Sequence, residues 1–256
     1  MRVFFGISAL LFVASAALTT LWCASMSAVG GMPMPGGWTM SMAWMRMPGQ
    51  TWPVAAASFL GMWVMMMVAM MLPSLVPRLW RYREAVAATA ETRLGRLTAL
   101  VSLGYFFVWT MFGLAAYLLG VRLAAIAMQQ AAVARVVPIA VGVVVVLAGF
   151  LQFTAWKARH LACYRETPGS SHTLPADTAT AWRHGVRLGL HCCYCCANLM
   201  AILLVIGVMD LRAMAVVSAA ITSERIAPAG ESVARALGIV VVAAGLFMIA
   251  RPAGLG

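Results

Sequence analysis

A chain of 256 residues that is 63% hydrophobic and only 10% charged falls outside the ordinary soluble classes, where those fractions run near a half and a quarter. Its formal net charge of +11 does not point to nucleic acid, because the basic residues gather in two stretches between apolar runs. A multi-pass membrane protein is the class that remains.

Apolar runs of spanning length, about 17 to 25 residues, lie at 4–24, 53–74, 98–120, 136–154, 188–208 and 236–250. The stretch 211–223 is shorter and reads as a tilted helix, a half-helix or the continuation of its neighbour. The expectation is an all-α, polytopic transmembrane bundle of six or seven spans, forming a single domain over residues 1–256. The first run follows Arg2 and ends in small residues, as a signal peptide does, but its length and the spans behind it favour an uncleaved helix. Cys23 at its end reads as a buried small residue.

The loop 25–52 is rich in Gly, Pro and Met and contains Met32, Met34, Met40, Met42, Met45 and Met47. Alternating methionines in an extended segment share a side, and thioethers select soft ions such as Cu(I). This is a candidate outer metal relay; the competing reading is methionine packing in a membrane-skimming loop. In the next run, Met62, Met66 and Met70 fall on one helical face with Met67 and Met71 beside them, as packing or as an intramembrane relay. Pro73 and Pro77 are expected to end or kink that helix.

Arg78, Arg81, Arg83, Arg93 and Arg96 then occupy the loop 75–97, and Lys157, Arg159, Arg165, Arg183 and Arg187 the loop 155–187. The loop between them carries only Arg122 and Arg135. By the positive-inside rule the two rich loops are cytoplasmic, which puts the N-terminus inside and the 25–52 loop outside a bacterial inner membrane. With seven spans the C-terminus is outside. Gly104, Gly113, Gly120 and Gly142 permit close helix contacts and a homo-oligomer. Gln152 and Asn198 offer hydrogen bonds between helices.

The chemistry concentrates in His191-Cys192-Cys193-Tyr194-Cys195-Cys196. On a helix Cys192, Cys195 and Cys196 project together, and thiolates bind Cu(I) and Zn(II) or attack disulfides. His160 and Cys163, three apart at the end of the preceding span, are placed to complete a cytoplasmic metal shell. His172 and His184 lie in a polar connection and read as solvated. Glu224, beside Arg225, is a proton acceptor, a hard ligand or a salt-bridge partner, and Asp210 pairs with Arg212 at the surface.

These pieces have a familiar order. Ala69-Met70-Met71-Leu72-Pro73-Ser74, the Lys157 segment closing in Cys163, Arg165 and Pro168, the Cys192, Cys195, Cys196 element, Leu199-Met200, Gly207-Val208-Met209 and Glu224-Arg225 occur in sequence. From about Trp52 to Gly245 the chain resembles the bacterial family described as predicted metal-binding integral membrane proteins. The resemblance implies metal binding without a defined reaction. The chain departs from the family pattern at His160, where a cysteine is usual, and at Cys193 and Tyr194, where small or aliphatic residues are usual.

Three functions follow. The first is handling of a soft transition metal, copper favoured over zinc, with a periplasmic metal carrier or metalloprotein as partner. The second is a membrane thiol–disulfide oxidoreductase built on Cys192-x-x-Cys195 at a helix N-terminus, whose dipole favours the thiolate. The third is a structural zinc clamp. No phosphate-binding glycine loop and no Ser-His-Asp or paired-carboxylate constellation is visible, so the chain reads as more plausibly not an enzyme.

Overall fold

The computed structural model describes residues 2–46, 49–87, 91–165, 177–227 and 229–251. Met47, Pro168 and His172 lie outside them, as do the side chains of Cys163 and Arg165. Eight α-helices are described: α1 (Arg2–Val29), α2 (Trp52–Ala87), α3 (Leu94–Gln129), α4 (Ala131–Leu151), α5 (Ala155–Arg165), α6 (Thr178–Ile206), α7 (Leu211–Ile226) and α8 (Gly230–Ala250). All except α5 and α7 are long and apolar enough to cross a membrane. Their outward faces carry exposed Leu10, Leu103, Leu147 and Ile239, as helices facing hydrocarbon must.

The helices run past the ends of the apolar runs, so the two basic stretches expected as loops are largely helical. Helix α2 continues through Pro73 and Pro77 to Ala87. Each proline removes one backbone donor. Nearby hydroxyls support the weakened turn, because Ser74 Oγ donates to Met71 O and Ser218 Oγ of α7 to Met70 O. Helix α6 likewise begins ten residues or more before its apolar run, at Thr178, capped by Asp177, whose carboxylate accepts from Thr180 N at 3.0 Å. Those hydrogen bonds hold the Asp177 carboxyl below the usual carboxylate range.

Phe4 and Phe5 pack on Trp80, so α1 and the far end of α2 meet at one end of the bundle, here the N-terminal end. The opposite end carries a hairpin, β1 (Met32–Met34) with β2 (Trp38–Met40), antiparallel with Met32 opposite Met40. Gly36 and Gly37 take positive φ in its turn. A Cβ on Gly36 would lie 3.0 Å from Arg135 Cα, and Trp38 Nε1 donates to Ala134 O at 2.8 Å. The hairpin is thereby clamped over the junction of α3 and α4.

Glycine sets the two closest helix crossings. Gly142 on α4 meets Gly245 on antiparallel α8, while Gly149, seven residues on, lies against Val241 and Val242, and Gly238 against Gln152 and Phe153. On α3 and α6, which run parallel, a Cβ on Gly104 would lie 2.7 Å from Trp182 O, and one on Gly185 would fall on the Val101 carbonyl. Gly185→Ala is therefore expected to push α3 from α6 and cost ~1–3 kcal/mol. Gly61→Ala, with nothing within 4 Å, is expected to stabilise by ~0.5–1 kcal/mol. Thermal unfolding of both variants in detergent checks this; equal melting temperatures would remove the α3–α6 glycine contact from the account.

Helix α7 resolves the short apolar stretch. Gly207, at φ 147°, ends α6, and Asp210 caps α7 by accepting from Arg212 N and Ala213 N. Asp210 is thus a helix cap and not the carboxylate of a surface pair. At 16 residues α7 is shorter than a spanning helix; it packs one face on the bundle, burying Met214, Val217, Ile221, Glu224 and Arg225, and leaves Val216 and Ile226 exposed on the other. Its far end delivers two charged side chains to the middle of the protein.

Candidate metal centre

The cysteine run lies four turns into α6, not at its start. A helix dipole acts within the first turn, so the N-terminal activation expected for Cys192 does not operate. The polar residues before it, from Trp182 to Arg187, continue the helix beyond the apolar run, which displaced its N-terminus. His184 is accordingly on α6 and stacks on Tyr82 with ring centroids 5.2 Å apart, not in a solvated connection.

Helical spacing turns Cys192 and Cys196 toward α2, α3 and α7, and both are buried. Cys192 Sγ is the focus. Tyr105 Oη of α3 lies 2.8 Å from it, Arg225 Nη2 of α7 donates to it at 3.0 Å, and Met71 Sδ of α2 lies 4.0 Å away. Four helices thus converge on one sulfur. Cys196 Sγ donates to Cys192 O at 2.9 Å, as hydroxyls and thiols do one turn back along a helix.

Arg225 organises this cluster. Nη1 donates to Ser74 Oγ at 2.8 Å and lies 3.9 Å from Met71 Sδ, while Nη2 reaches Cys192 O at 3.4 Å. A guanidinium stays charged and presents a rigid fork of donors. Here the fork ties α7 to α2 and α6 across the sulfur pair. Donors aimed at a sulfur suit a thiolate more than a thiol, and the thiolate is the form that binds a soft ion.

The neighbouring Glu224 points elsewhere, since consecutive helical residues diverge by about 100°. Its carboxylate holds Lys157 Nζ of α5 at 2.8 Å and accepts from Gln152 Nε2 at 2.7 Å. Lys157 Nζ also donates to Cys195 O at 2.5 Å. Lys157 and Glu224 are each 1% exposed. Of the roles open to Glu224, the structure shows the salt bridge. Lys157, counted among loop charges in the sequence, is instead a buried strut between α5, α6 and α7. Asn198 Nδ2 donates to Ala148 O at 3.1 Å, so Gln152 and Asn198 both bond between helices.

The other expected ligands disperse. Cys195 is buried behind the Lys157 contact and Cys193 is half-buried. His160 packs between Trp156 and Tyr194, at 4.6 and 5.5 Å between centroids, and His191 is half-buried on α6. Among the described residues no three His, Cys, Asp or Glu side chains are placed to hold a metal ion together. Sulfur donors are what the site has. Two metal–sulfur bonds of about 2.3 Å would span the 4.0 Å between Cys192 Sγ and Met71 Sδ at an angle of ~120°; the two sulfurs now touch each other there, so an ion would take the place of that contact.

Met62, Met66, Met67 and Met70 are buried along α2 in the same core cluster as Met71 and Cys192. Met34 and Met40 of the hairpin are buried against Ala124, Ala127 and Ala134, and Met32, on the same face opposite Met40, is exposed at its edge. Met42 and Met45 line a cavity at the hairpin end. A larger cavity of ≈270 Å³ adjoins the Lys157–Glu224 pair and has no sulfur side chain in its lining.

Sequence spacing marked the thiols, and the family pattern contained Met71, Ser74 and Arg225. Tyr105 carries no local signal, because its role comes only from the parallel packing of α3 on α6. No curated protein and no solved structure matches the chain. A family model does match, over residues 60–248, a range that takes in every element of the centre and leaves out α1 and the hairpin. An arginine-braced pair of buried sulfur atoms inside a helical bundle thus lies within a chain that belongs to the PpoB2 family of copper chaperones.

Proposed function

We propose that the protein is a membrane-embedded Cu(I) chaperone that holds its cargo between Cys192 and Met71 and passes it to a periplasmic metalloprotein. The observation that carries this reading is the 4.0 Å contact of Cys192 Sγ with Met71 Sδ, both fully buried, with Tyr105 and Arg225 as the other side-chain partners of Cys192. A thiolate and a thioether select Cu(I) over harder ions. Cys196, one turn along, is the third sulfur available to a loaded ion.

The same geometry favours relay over storage. A copper ion reaching Cys192 meets the Arg225 guanidinium at the same sulfur, and like charges in a low-dielectric interior repel. Binding therefore exchanges one partner of Cys192 for another, and the returning guanidinium helps the ion leave. A storage site would surround the ion with counter-charge.

Orientation follows from the basic stretches, which place the N-terminal end of the bundle in the cytoplasm and the hairpin end outside an inner membrane. The test is the metal content of the chain purified anaerobically from copper-replete cells, followed by incubation with an apo copper protein. About one copper per chain that moves to the acceptor is expected. Stoichiometric zinc that does not move would replace the chaperone reading by a structural one.

A further inference from the structure

We infer that the hairpin end holds a second soft-metal site, a thioether basket that takes Cu(I) before or after it visits Cys192. This deepens the copper reading and rests on it. A cavity of ≈140 Å³ there is lined by Met26 of α1, Met42 of the one-turn 3₁₀ helix Met42–Trp44, Met45 just after it, Met62 of α2 and Met209 from the turn between α6 and α7. Five of its eleven lining residues are methionine. The whole chain has 20 in 256, so random lining would supply about one, and the enrichment needs a cause.

Methionine packing is the competing explanation, and the lining itself argues against it. Packing methionines are buried, as Met34 and Met40 are against their alanines. In the basket only Met62 is fully buried; Met45 and Met209 pack in part against the neighbouring cores but, like Met26 and Met42, keep part of their surface open around the cavity. No carboxylate, imidazole or thiol lines the cavity; its polar side chains are Gln50 and Ser58. Hard ions find no charged ligand there, whereas a monovalent soft ion finds several thioethers.

The basket also leads somewhere. Met62 is its inner wall and the first member of the buried series Met62, Met66 and Met70. Successive members are one turn apart, about 6 Å along the axis. Met67 and Met71 flank them, and Met71 touches Cys192. Methionines therefore recur turn by turn along α2 between the cavity and the thiol. Met62 and Met209 lie inside the family match at 60–248, and Met26, Met42 and Met45 lie before it.

Ag(I), a redox-stable stand-in for Cu(I), is the probe, titrated anaerobically into the full chain in detergent. In a Cys192→Ser/Cys196→Ser chain one Ag(I) per chain is expected to remain. Its affinity should not change between about pH 5 and pH 7, because a thioether has no proton to lose whereas a thiolate does. Met42→Leu, Met45→Leu and Met209→Leu, alike in volume, should each weaken that binding, and together by about tenfold or more, ~1.4 kcal/mol per tenfold. Met34→Leu and Met40→Leu should leave it unchanged. A double-serine chain that binds no Ag(I), or basket variants that bind as before, would overturn the proposal. If the native chain meanwhile binds through Cys192, the copper reading survives that outcome; if the native chain binds none, both fall.

Discussion

Glu224→Ala is expected to destabilise the folded protein by ~3–5 kcal/mol, because it leaves the Lys157 ammonium buried without its counter-charge. The pair is 1% exposed on both sides, so water cannot take over. Gln152 loses its acceptor in the same step, and Lys157 keeps only Cys195 O. The double variant Lys157→Met/Glu224→Leu removes both charges and should recover most of the loss, since buried pairs are often matched by apolar residues of similar size. Unfolding in detergent, followed for the single and double variants, reads this directly. A single variant as stable as the parent would mean that Lys157 escapes to solvent and that the strut is not structural.

The consequence reaches the copper centre. Glu224 and Arg225 are adjacent on α7, and the carboxylate anchors the turn from which the guanidinium reaches Ser74, Met71 and Cys192. The double variant should therefore fold yet give up copper more slowly than the parent, because a loosened guanidinium competes less for Cys192, separating the strut's structural role from its positioning role.

Cys192→Ser is expected to lower Cu(I) affinity by a factor of about 10²–10³. Structural zinc sites provide the scale: about 10–16 kcal/mol over four ligands is ~2.5–4 kcal/mol for each. A hydroxyl is a poor ligand for a soft ion and does not ionise at neutral pH. Affinity in the parent should fall as pH falls, by up to about tenfold per unit, since one proton competes for each thiolate engaged. The serine variant should lose that dependence. Competition titration with a chromogenic Cu(I) chelator measures both; Cys193→Ser, at a half-buried position without a contact to Met71, is the control and should bind as the parent does.

Six spanning helices were legible because apolar length is a direct consequence of bilayer thickness. Their ends were not, because nothing in hydropathy stops a helix where the membrane stops. Arg78, Arg81 and Arg83 simply ride on α2, and Arg183 and Arg187 on α6. Helix α7 was the least legible element. Its 16 residues gain stability from packing between α2, α6 and α8, which local composition does not encode.

The centre divides in the same way. Cys192 and Cys196 follow from spacing within one helix, but Met71, Tyr105 and Arg225 come 121, 87 and 33 residues away in the chain. Cys195, grouped with them by spacing, is buried beside them, and its backbone carbonyl also takes the Lys157 ammonium of α5. His160 and Tyr194, one spaced like a ligand and one a departure from the family pattern, stack on each other. Partners chosen by tertiary packing are the part that a linear pattern cannot reveal.

X-ray absorption at the copper edge of the anaerobically loaded chain tests the central claim most directly. Coordination by sulfur alone is predicted, with one sulfur lost in Cys192→Ser and another in Met71→Leu. A shell of nitrogen or oxygen ligands, or a sulfur shell unchanged in both variants, would contradict it and move the copper away from the α2–α6 contact.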